Sequence, residues 1–410
     1  MYHHQGKRTW VSPYTDGNAR PVRRSEGGSD VTTEPENDDL SFLADVEVPA
    51  LEEVSELYPD EFPAAVKFAF IGLGQAGGRF ADMAYNLRWR KVVALNTSQE
   101  DLRNLEHLPA DRRMQFGTGG GAGKDPKHGL KQVSAASGDI LNLLIRKLGR
   151  DVEQIIVAVG GGGGTGSGGV IAGEGKNLLQ TVHDYAELIA PDAPQGKPKI
   201  GVLCTMPTLA EGAPACRTAV DVLTQLFDLV ERGEISPLFI VDNNRITRLW
   251  SQATVTDMFQ RSNALILNTL QAFVAFATKD GIITFDRQDL RTVLASGAVT
   301  FGMMDVEDPS NGGLSMAVRK NPARGVLAEG FDLSKSKVGA VLVTAQKEVL
   351  DRLQTKDFDE AVESFSHLIG NSTVHRGLFK GAFPKVRVYV MIGGLPRPEA
   401  RLAEFARKSS

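Results

Sequence analysis

The sequence predicts an α/β protein built on a parallel β-sheet, followed by a long central helix and a smaller α+β domain. Three observations lead to this fold class. From residue 66 onward, short apolar segments alternate with helix-like segments, as in parallel sheets that helices cover on both faces. A run at 160–169 holds eight glycines directly after one such apolar segment. Residues 255–278 form one long apolar-periodic segment, which indicates a helix between the two parts.

The elements follow in chain order. Strands are predicted at 66–71, 91–95, 155–159, 200–204 and 238–241, and helices at 74–87, at 130–147 and from about Val170 onward. Beyond the central helix, strands are predicted at 297–304, 338–343 and 385–393, and helices at 314–319 and 358–369. The predicted domains are an α/β domain at 65–254, the central helix at 255–278, a C-terminal domain at 279–400 and a short tail at 401–410.

Composition predicts a disordered tail at 1–64 and narrows the class of the remaining chain. The tail is rich in polar residues, has basic residues before an acidic stretch, and is a candidate docking segment for a protein adaptor. The net charge of −4 gives no excess of basic residues, so we do not expect direct nucleic-acid binding. Two cysteines in 410 residues and no apolar run of transmembrane length predict a cytoplasmic protein.

The glycine run at 160–169 is predicted to bind phosphate. Its backbone N–H groups and the start of the following helix favour anions, and Thr165 and Ser167 add hydroxyl donors. A Walker A loop is excluded because no lysine follows the run in the required position. Lys124, in the neighbouring glycine-rich loop, is the other candidate for the Walker lysine, but Asp125 follows it where that motif needs serine or threonine.

A second glycine loop at 72–78 matches the dinucleotide pattern G-x-G-x-x-G, which is a weak signal when it stands alone. An NAD site also needs an acidic residue at the end of the second strand, and Asn96 stands there instead. An NAD-dependent oxidoreductase is therefore a disfavoured alternative. Glu211 follows a later strand and is suited to accept hydrogen bonds from a ribose, and the amide of Asn243 suits a purine edge.

The order and content of these loops resemble the tubulin/FtsZ superfamily of GTPases. Residues 162–168 are similar to its G-G-G-T-G-[ST]-G signature, and 70–78 to its first nucleotide loop as written in the archaeal CetZ group. Residues 122–126 resemble the loop over the γ-phosphate. The resemblance covers about 66–302 and implies a Rossmann-like GTPase domain that binds GTP or GDP with Mg²⁺, and self-association into head-to-tail filaments.

The resemblance also implies the site residues. The nucleotide-binding set is Gly74, Gln75, Ala76, Gly77, Asn96, Ala122, Gly123, Gly162, Gly163, Gly164, Thr165, Gly166, Ser167, Gly168, Glu211, Asn243, Phe259 and Asn263. In this set the glycine loops hold the phosphates and Glu211 holds the ribose. Asn243 and Asn263 read the guanine, on which Phe259 stacks. No protein residue is assigned as a direct metal ligand.

Asp286 and Asp289 resemble the catalytic acids of the family, which act on the nucleotide of the next subunit in a filament. The residue types alone also allow a helix cap with a first-turn acid. Thr284 and Arg287 depart from the family pattern, which keeps open a non-hydrolysing scaffold or regulator of another filament. The expected role is in cell shape, division or DNA segregation. His375 is assigned no chemical role.

Overall fold

A computed structural model describes residues 64–324, 327, 330–382 and 384–409, so the predicted tail lies outside the described residues except for residue 64. The described residues form ten strands and fourteen α-helices. The strands are β1 (Phe68–Leu73), β2 (Val92–Asn96), β3 (Arg113–Gln115), β4 (Gln154–Gly160), β5 (Lys199–Met206), β6 (Leu238–Asp242), β7 (Ala298–Val306), β8 (Val338–Ala345), β9 (Thr373–Lys380) and β10 (Val386–Leu395). The helices are α1 (Gly74–Asn86), α2 (Gln99–Arg103), α3 (Pro126–Ala135), α4 (Ser137–Leu148), α5 (Thr165–Gly168), α6 (Leu178–Ile189), α7 (Ala213–Glu231), α8 (Asn243–Leu249), α9 (Val255–Phe276), α10 (Arg287–Leu294), α11 (Gly313–Arg324), α12 (Lys347–Leu350), α13 (Thr355–Leu368) and α14 (Glu399–Ser409).

All ten strands belong to one sheet, in the order β3-β2-β1-β4-β5-β6-β7-β10-β8-β9. The first six strands run parallel to their neighbours, whereas β10 is antiparallel to β7 and β8. The two parts of the sheet meet at one register pair, Leu238 with Ala298. The predicted α/β fold class is confirmed. The strand order reverses between β1 and β4, the place where doubly wound sheets bind ligands.

The apolar strands are buried because helices cover both faces of the sheet. Alternate residues of β1 enter opposite cores, with Ile71 and Leu73 on one side and Phe68 and Phe70 on the other. The central helix α9 belongs to the second core, and its Phe273 is fully buried. Among the described residues, no helix is both long and apolar enough to cross a membrane.

Two predicted helices differ in the structure. The single helix predicted at 130–147 is two helices, α3 and α4, which separate at Ala136, directly before the weak helix formers Ser137 and Gly138. The helix predicted to begin near Val170 is replaced by two helices, one that begins earlier and one that begins later. A short turn, α5, already lies inside the glycine run, and α6 begins at Leu178 after a capping box on Asn177.

Residues 401–410 were predicted as a short tail, but the described ones, through Ser409, lie in helix α14. Arg401, Leu402 and Phe405 are buried there, at a spacing that places them on one helix face. This helix packs along α7. The edge strand β9 was also not predicted, because its sequence mixes charged and apolar residues in no strict alternation.

Candidate nucleotide-binding site and acidic loop

A cavity of about 530 Å³ lies at the carboxyl ends of the parallel strands. Its size falls in the range of small-molecule sites. The loops that follow β1, β2, β4, β5 and β6 all contribute to it, as does α9. Most predicted nucleotide-binding residues line it, namely Gly74, Gln75, Ala76, Asn96, Ala122, Gly162, Gly163, Gly164, Thr165, Gly166, Glu211, Asn243, Phe259 and Asn263. The structure thus brings together residues that are up to 189 positions apart, from Gly74 to Asn263.

Four predicted binding residues are not among the lining residues: Gly77, Gly123, Ser167 and Gly168. Three of them have a packing role instead. A Cβ on Gly77 would lie 2.1 Å from the carbonyl oxygen of Ala158, and one on Gly168 would lie 2.4 Å from the Leu130 nitrogen. The fully buried Ser167 donates its hydroxyl to a backbone carbonyl, 3.2 Å away. These residues shape the glycine loop from behind the cavity.

The glycine loops and the loop after β2 hold one another in place. Gly74 has a φ of +72°, and a Cβ there would lie 3.1 Å from the Gly166 nitrogen, so the first glycine loop closely approaches the second. The buried hydroxyls of Thr97 and Thr165 lie 2.6 Å apart and join the loop after β2 to the glycine run at 160–169. The wall of the cavity is therefore a cross-linked set of loops.

Three charged residues that line the cavity are outside the predicted binding set: Arg79, Asp101 and Lys124. Lys124 lies in the loop at 122–126 that resembles the loop over the γ-phosphate, whereas the other two were missed. Asp101 accepts hydrogen bonds from the side-chain amides of Gln75, at 3.1 Å, and Asn96, at 3.0 Å. It therefore orients two of the predicted binding residues. Its position at the first turn after β2 was the available signal, since ligand-binding residues gather at strand carboxyl ends.

The loops after β5 and β6 and helix α9 carry the residues predicted for base and ribose. Asn244 accepts from the Leu209 nitrogen at 2.9 Å and donates to the Pro207 oxygen at 3.2 Å, so it ties the loops after β5 and β6 together. Its neighbour Asn243 lines the cavity. The Arg79 guanidinium lies 5.1 Å from the ring centroid of Phe259, within cation–π distance.

Glu211 has a structural contact of its own. One oxygen of its carboxylate accepts from the backbone nitrogen of Thr208 at 2.8 Å and caps the short 3₁₀ turn Leu209–Glu211. The residue also lines the cavity. The cap fixes the direction of the carboxylate while its second oxygen stays available as an acceptor.

A buried ion pair supports the loop after β6 from the C-terminal helix. Asp242 is fully buried, begins α8 as its N-cap, and directly precedes Asn243. Arg401 of α14 donates two hydrogen bonds to it, at 2.8 and 2.9 Å. Burial opposes the charge of Arg401, but the hydrogen bonds and attraction of Asp242 and Glu404 together outweigh it and raise the pKa of Arg401 above its ordinary value.

Arg401→Met is expected to lower the free energy of unfolding by about 3 kcal/mol, because it leaves the Asp242 carboxylate buried without its partner. Urea denaturation measures the change. Arg407→Met, on an exposed position of the same helix, is the matched control and should change stability by less than about 0.5 kcal/mol. Adding Asp242→Asn to Arg401→Met should recover most of the loss, since asparagine also caps helices. Equal stability of Arg401→Met and wild type would contradict the role of the pair.

The two predicted catalytic acids form a helix cap. Asp286 accepts from the backbone nitrogens of Gln288 and Asp289, at 2.7 and 2.9 Å, and its own nitrogen donates to the Asp289 carboxylate at 3.0 Å. This reciprocal capping box is the alternative that the residue types allowed. The cap holds the two carboxylates at the start of α10, where Asp286 is exposed and Asp289 is partly exposed.

The acids lie at the opposite edge of the sheet from the cavity. Arg291 of α10 donates to the buried Glu153 carboxylate at 2.6 Å, and Arg287 pairs with the same carboxylate. Glu153 directly precedes β4, whereas Gly160 at the other end of β4 lines the cavity. The seven residues of β4 span about 20 Å, at about 3.3 Å per residue. The acids of one molecule therefore do not reach its own cavity.

The comparisons with known proteins agree with this architecture. No family model matches the chain. The tubulin-like protein CetZ of Pyrococcus abyssi is 25% identical in an alignment of 333 residues that covers 79% of this chain and 84% of that protein. A GTPγS-form protofilament of TubZ from Bacillus thuringiensis serovar israelensis has a TM-score of 0.72 at 15% identity, over 87% of this chain and 94% of that chain. The GDP-bound monomer of CetZ1 from Haloferax volcanii has a TM-score of 0.65 at 21% identity, over 84% of this chain and 98% of that chain.

Fold and cavity define an α/β protein of the doubly wound class, with its candidate ligand site at the carboxyl edge of the sheet. By sequence the chain is similar over 79% of its length to the tubulin-like protein CetZ and to a cell division protein FtsZ, and by fold it is similar to TubZ and CetZ1. These similarities support a member of the tubulin/FtsZ superfamily.

Proposed function

We propose that this chain is a cytoskeletal GTPase that binds guanine nucleotide in the cavity, assembles head-to-tail, and hydrolyses GTP where two copies meet. The observation that carries the proposal is the separation of the site into two halves. The glycine loops lie at the carboxyl ends of the parallel strands, and Asp286 and Asp289 lie on the side where β4 begins, so the length of β4, about 20 Å, separates the two halves. A head-to-tail contact places the acidic edge of one copy against the cavity of the next, and repeated contacts of this kind build an open filament.

The division of labour follows from the chemistry of phosphoryl transfer. That reaction needs an oriented water and donors that offset the charge developing on the phosphate. In this proposal the backbone N–H groups of the glycine run and Lys124 supply the donors, and the carboxylates of the neighbouring copy orient the water. The CetZ1 structure is a GDP-bound monomer, and the TubZ structure is a protofilament in its GTPγS form, which supports guanine-nucleotide binding and head-to-tail assembly for this chain.

The Mg²⁺ that the family resemblance implies fits the donors of the cavity. Among the described residues, no group of three or more His, Cys, Asp or Glu is placed to hold a metal alone. Mg²⁺ keeps several waters and is bound by one or two carboxylates together with substrate phosphates. Asp101 and the Gln75 side-chain oxygen would hold such an ion beside the phosphates, where it would offset their negative charge.

A second candidate is an assembling protein that binds GTP without hydrolysing it. Two observations favour it: both acids already serve the helix cap, and Arg287 departs from the family pattern to pair with Glu153. Neither contact removes the carboxylates from the surface of the acidic edge, because Asp286 stays exposed. The cellular task, whether shape, division or DNA segregation, stays a prediction, as does recruitment of an adaptor by residues 1–64.

The test measures the GTPase rate per subunit against protein concentration, with light scattering in parallel. We expect a cooperative rise in rate above a critical concentration, together with scattering, because each active site needs two copies. Scattering without phosphate release would favour the non-hydrolysing candidate. A rate per subunit that does not depend on concentration would contradict the shared site.

A further inference from the structure

Asp289 has a partner that the sequence did not indicate. His375 lies on the edge strand β9, and its Nδ1 is 2.6 Å from Oδ1 of Asp289 at the start of α10. Both side chains are largely covered, with 19% of His375 and 26% of Asp289 exposed. The contact joins two elements that are 86 positions apart, from 289 to 375. It therefore arises from the tertiary fold rather than from the local cap.

The two oxygens of Asp289 are held from different directions. Oδ2 accepts from the Asp286 nitrogen at 3.0 Å, and Oδ1 faces the imidazole. The other ring nitrogen of His375, Nε2, is buried and has no hydrogen-bond partner among the described residues. Nδ1 is thus the ring atom that faces the carboxylate, at a distance from Oδ1 that suits an N–H donor on this nitrogen. Each oxygen keeps a second lone pair that can accept from a water molecule.

Other contacts fix α10 independently of His375. Arg287 and Arg291 bind the helix to Glu153, whose side chain is 3% exposed. Phe285 and Leu290 are fully buried on either side of the acids. The helix therefore has anchors in the core and at β4. The contact with His375 acts on the Asp289 side chain in particular.

We propose that His375 is a positioning residue for GTP hydrolysis. It fixes the Asp289 carboxylate in the orientation from which that group reaches the nucleotide of the neighbouring copy, while it does not itself contact the nucleotide. The inference rests on the proposed function, because it gives Asp289 its role in the shared site. It extends that function by assigning part of the catalytic geometry to the edge strand of the C-terminal half.

The test compares His375→Leu with His375→Asn. Leucine is close in size to histidine but has no donor, whereas the asparagine amide nitrogen falls near the position of Nδ1 and keeps the donor. We expect His375→Leu to lower kcat about tenfold above the critical concentration, because a misplaced carboxylate orients the water poorly. KM, GTP affinity and the critical concentration should stay unchanged, and His375→Asn should restore most of kcat.

A double-mutant cycle separates positioning from a general effect on the fold. If His375 acts through Asp289, His375→Leu should cause no further loss of kcat in an Asp289→Asn background. A wild-type kcat in His375→Leu would overturn the inference and leave the proposed function standing. So would an equal loss in the leucine and asparagine variants with a raised critical concentration, which indicates a structural role. A wild-type chain that binds GTP but releases no phosphate at any concentration would overturn the proposed function and the inference together.

Discussion

Gly163→Val is expected to abolish nucleotide binding and leave the fold intact. Gly163 lines the cavity, and a Cβ built on it meets no atom within 4 Å, so a valine fits the protein itself. Its methyl groups project into the space that we assign to phosphate and block the close approach of the backbone N–H groups. We expect GTP affinity to fall by about 100-fold or more, or roughly 2.7 kcal/mol. Equilibrium binding of a fluorescent GTP analogue measures the loss, and thermal unfolding without nucleotide should be unchanged.

Two matched glycines control for the substitution itself. Gly138, on the exposed part of α4, also has no atom within 4 Å of its Cβ, and Gly138→Val should leave both affinity and stability close to wild type. Gly168→Val should instead destabilise the fold, because its Cβ would lie 2.4 Å from the Leu130 nitrogen. Wild-type GTP affinity in Gly163→Val would contradict the assignment of this cavity to the nucleotide.

Asp289→Asn is expected to lower GTP turnover by about 100-fold or more while GTP affinity stays the same. Asparagine has a single oxygen, which can keep accepting from the Asp286 nitrogen, while its amide nitrogen replaces the oxygen that faces His375, so the change removes the charge and preserves the cap. Because the rate of hydrolysis falls while the nucleotide-binding cavity is unchanged, filaments should persist longer after GTP is added. Phosphate release and light scattering on the same sample measure both effects. Asp357→Asn, in the first turn of α13, is the matched control and should match wild type.

Mixing two inactive variants tests the shared site directly. Gly163→Val supplies an intact acidic loop without a working cavity. Asp289→Asn supplies an intact cavity without the Asp289 carboxylate. If hydrolysis is completed between copies, the mixture should recover turnover that neither variant shows alone. If the acids act within their own chain, the mixture should stay inactive, and the proposal of a shared site would be wrong.

Much of the fold was predictable because the sequence states it locally. The buried parallel strands are short apolar runs, and the central helix carries its own period, so both were found near their true bounds. The breaks in the pattern were harder. The helix predicted at 130–147 divides at Ala136. Helix α14 was predicted as a tail because it is only eleven residues long and rich in charged residues, so its apolar positions repeat too few times to indicate a helix.

The sequence alone determined that glycine loops follow the parallel strands, and therefore which edge of the sheet they share, since parallel strands place their carboxyl ends together. It could not determine which glycines face the cavity and which face the core, because that depends on backbone approaches such as Gly77 to Ala158. The contacts of His375 with Asp289 and of Arg401 with Asp242 were also decided by the tertiary structure. The first pair lies 86 positions apart in the sequence and the second 159, and a local sequence pattern does not indicate contacts between residues so far apart. The separation between the acids and the cavity was also decided by the tertiary structure, because it depends on the length and direction of β4.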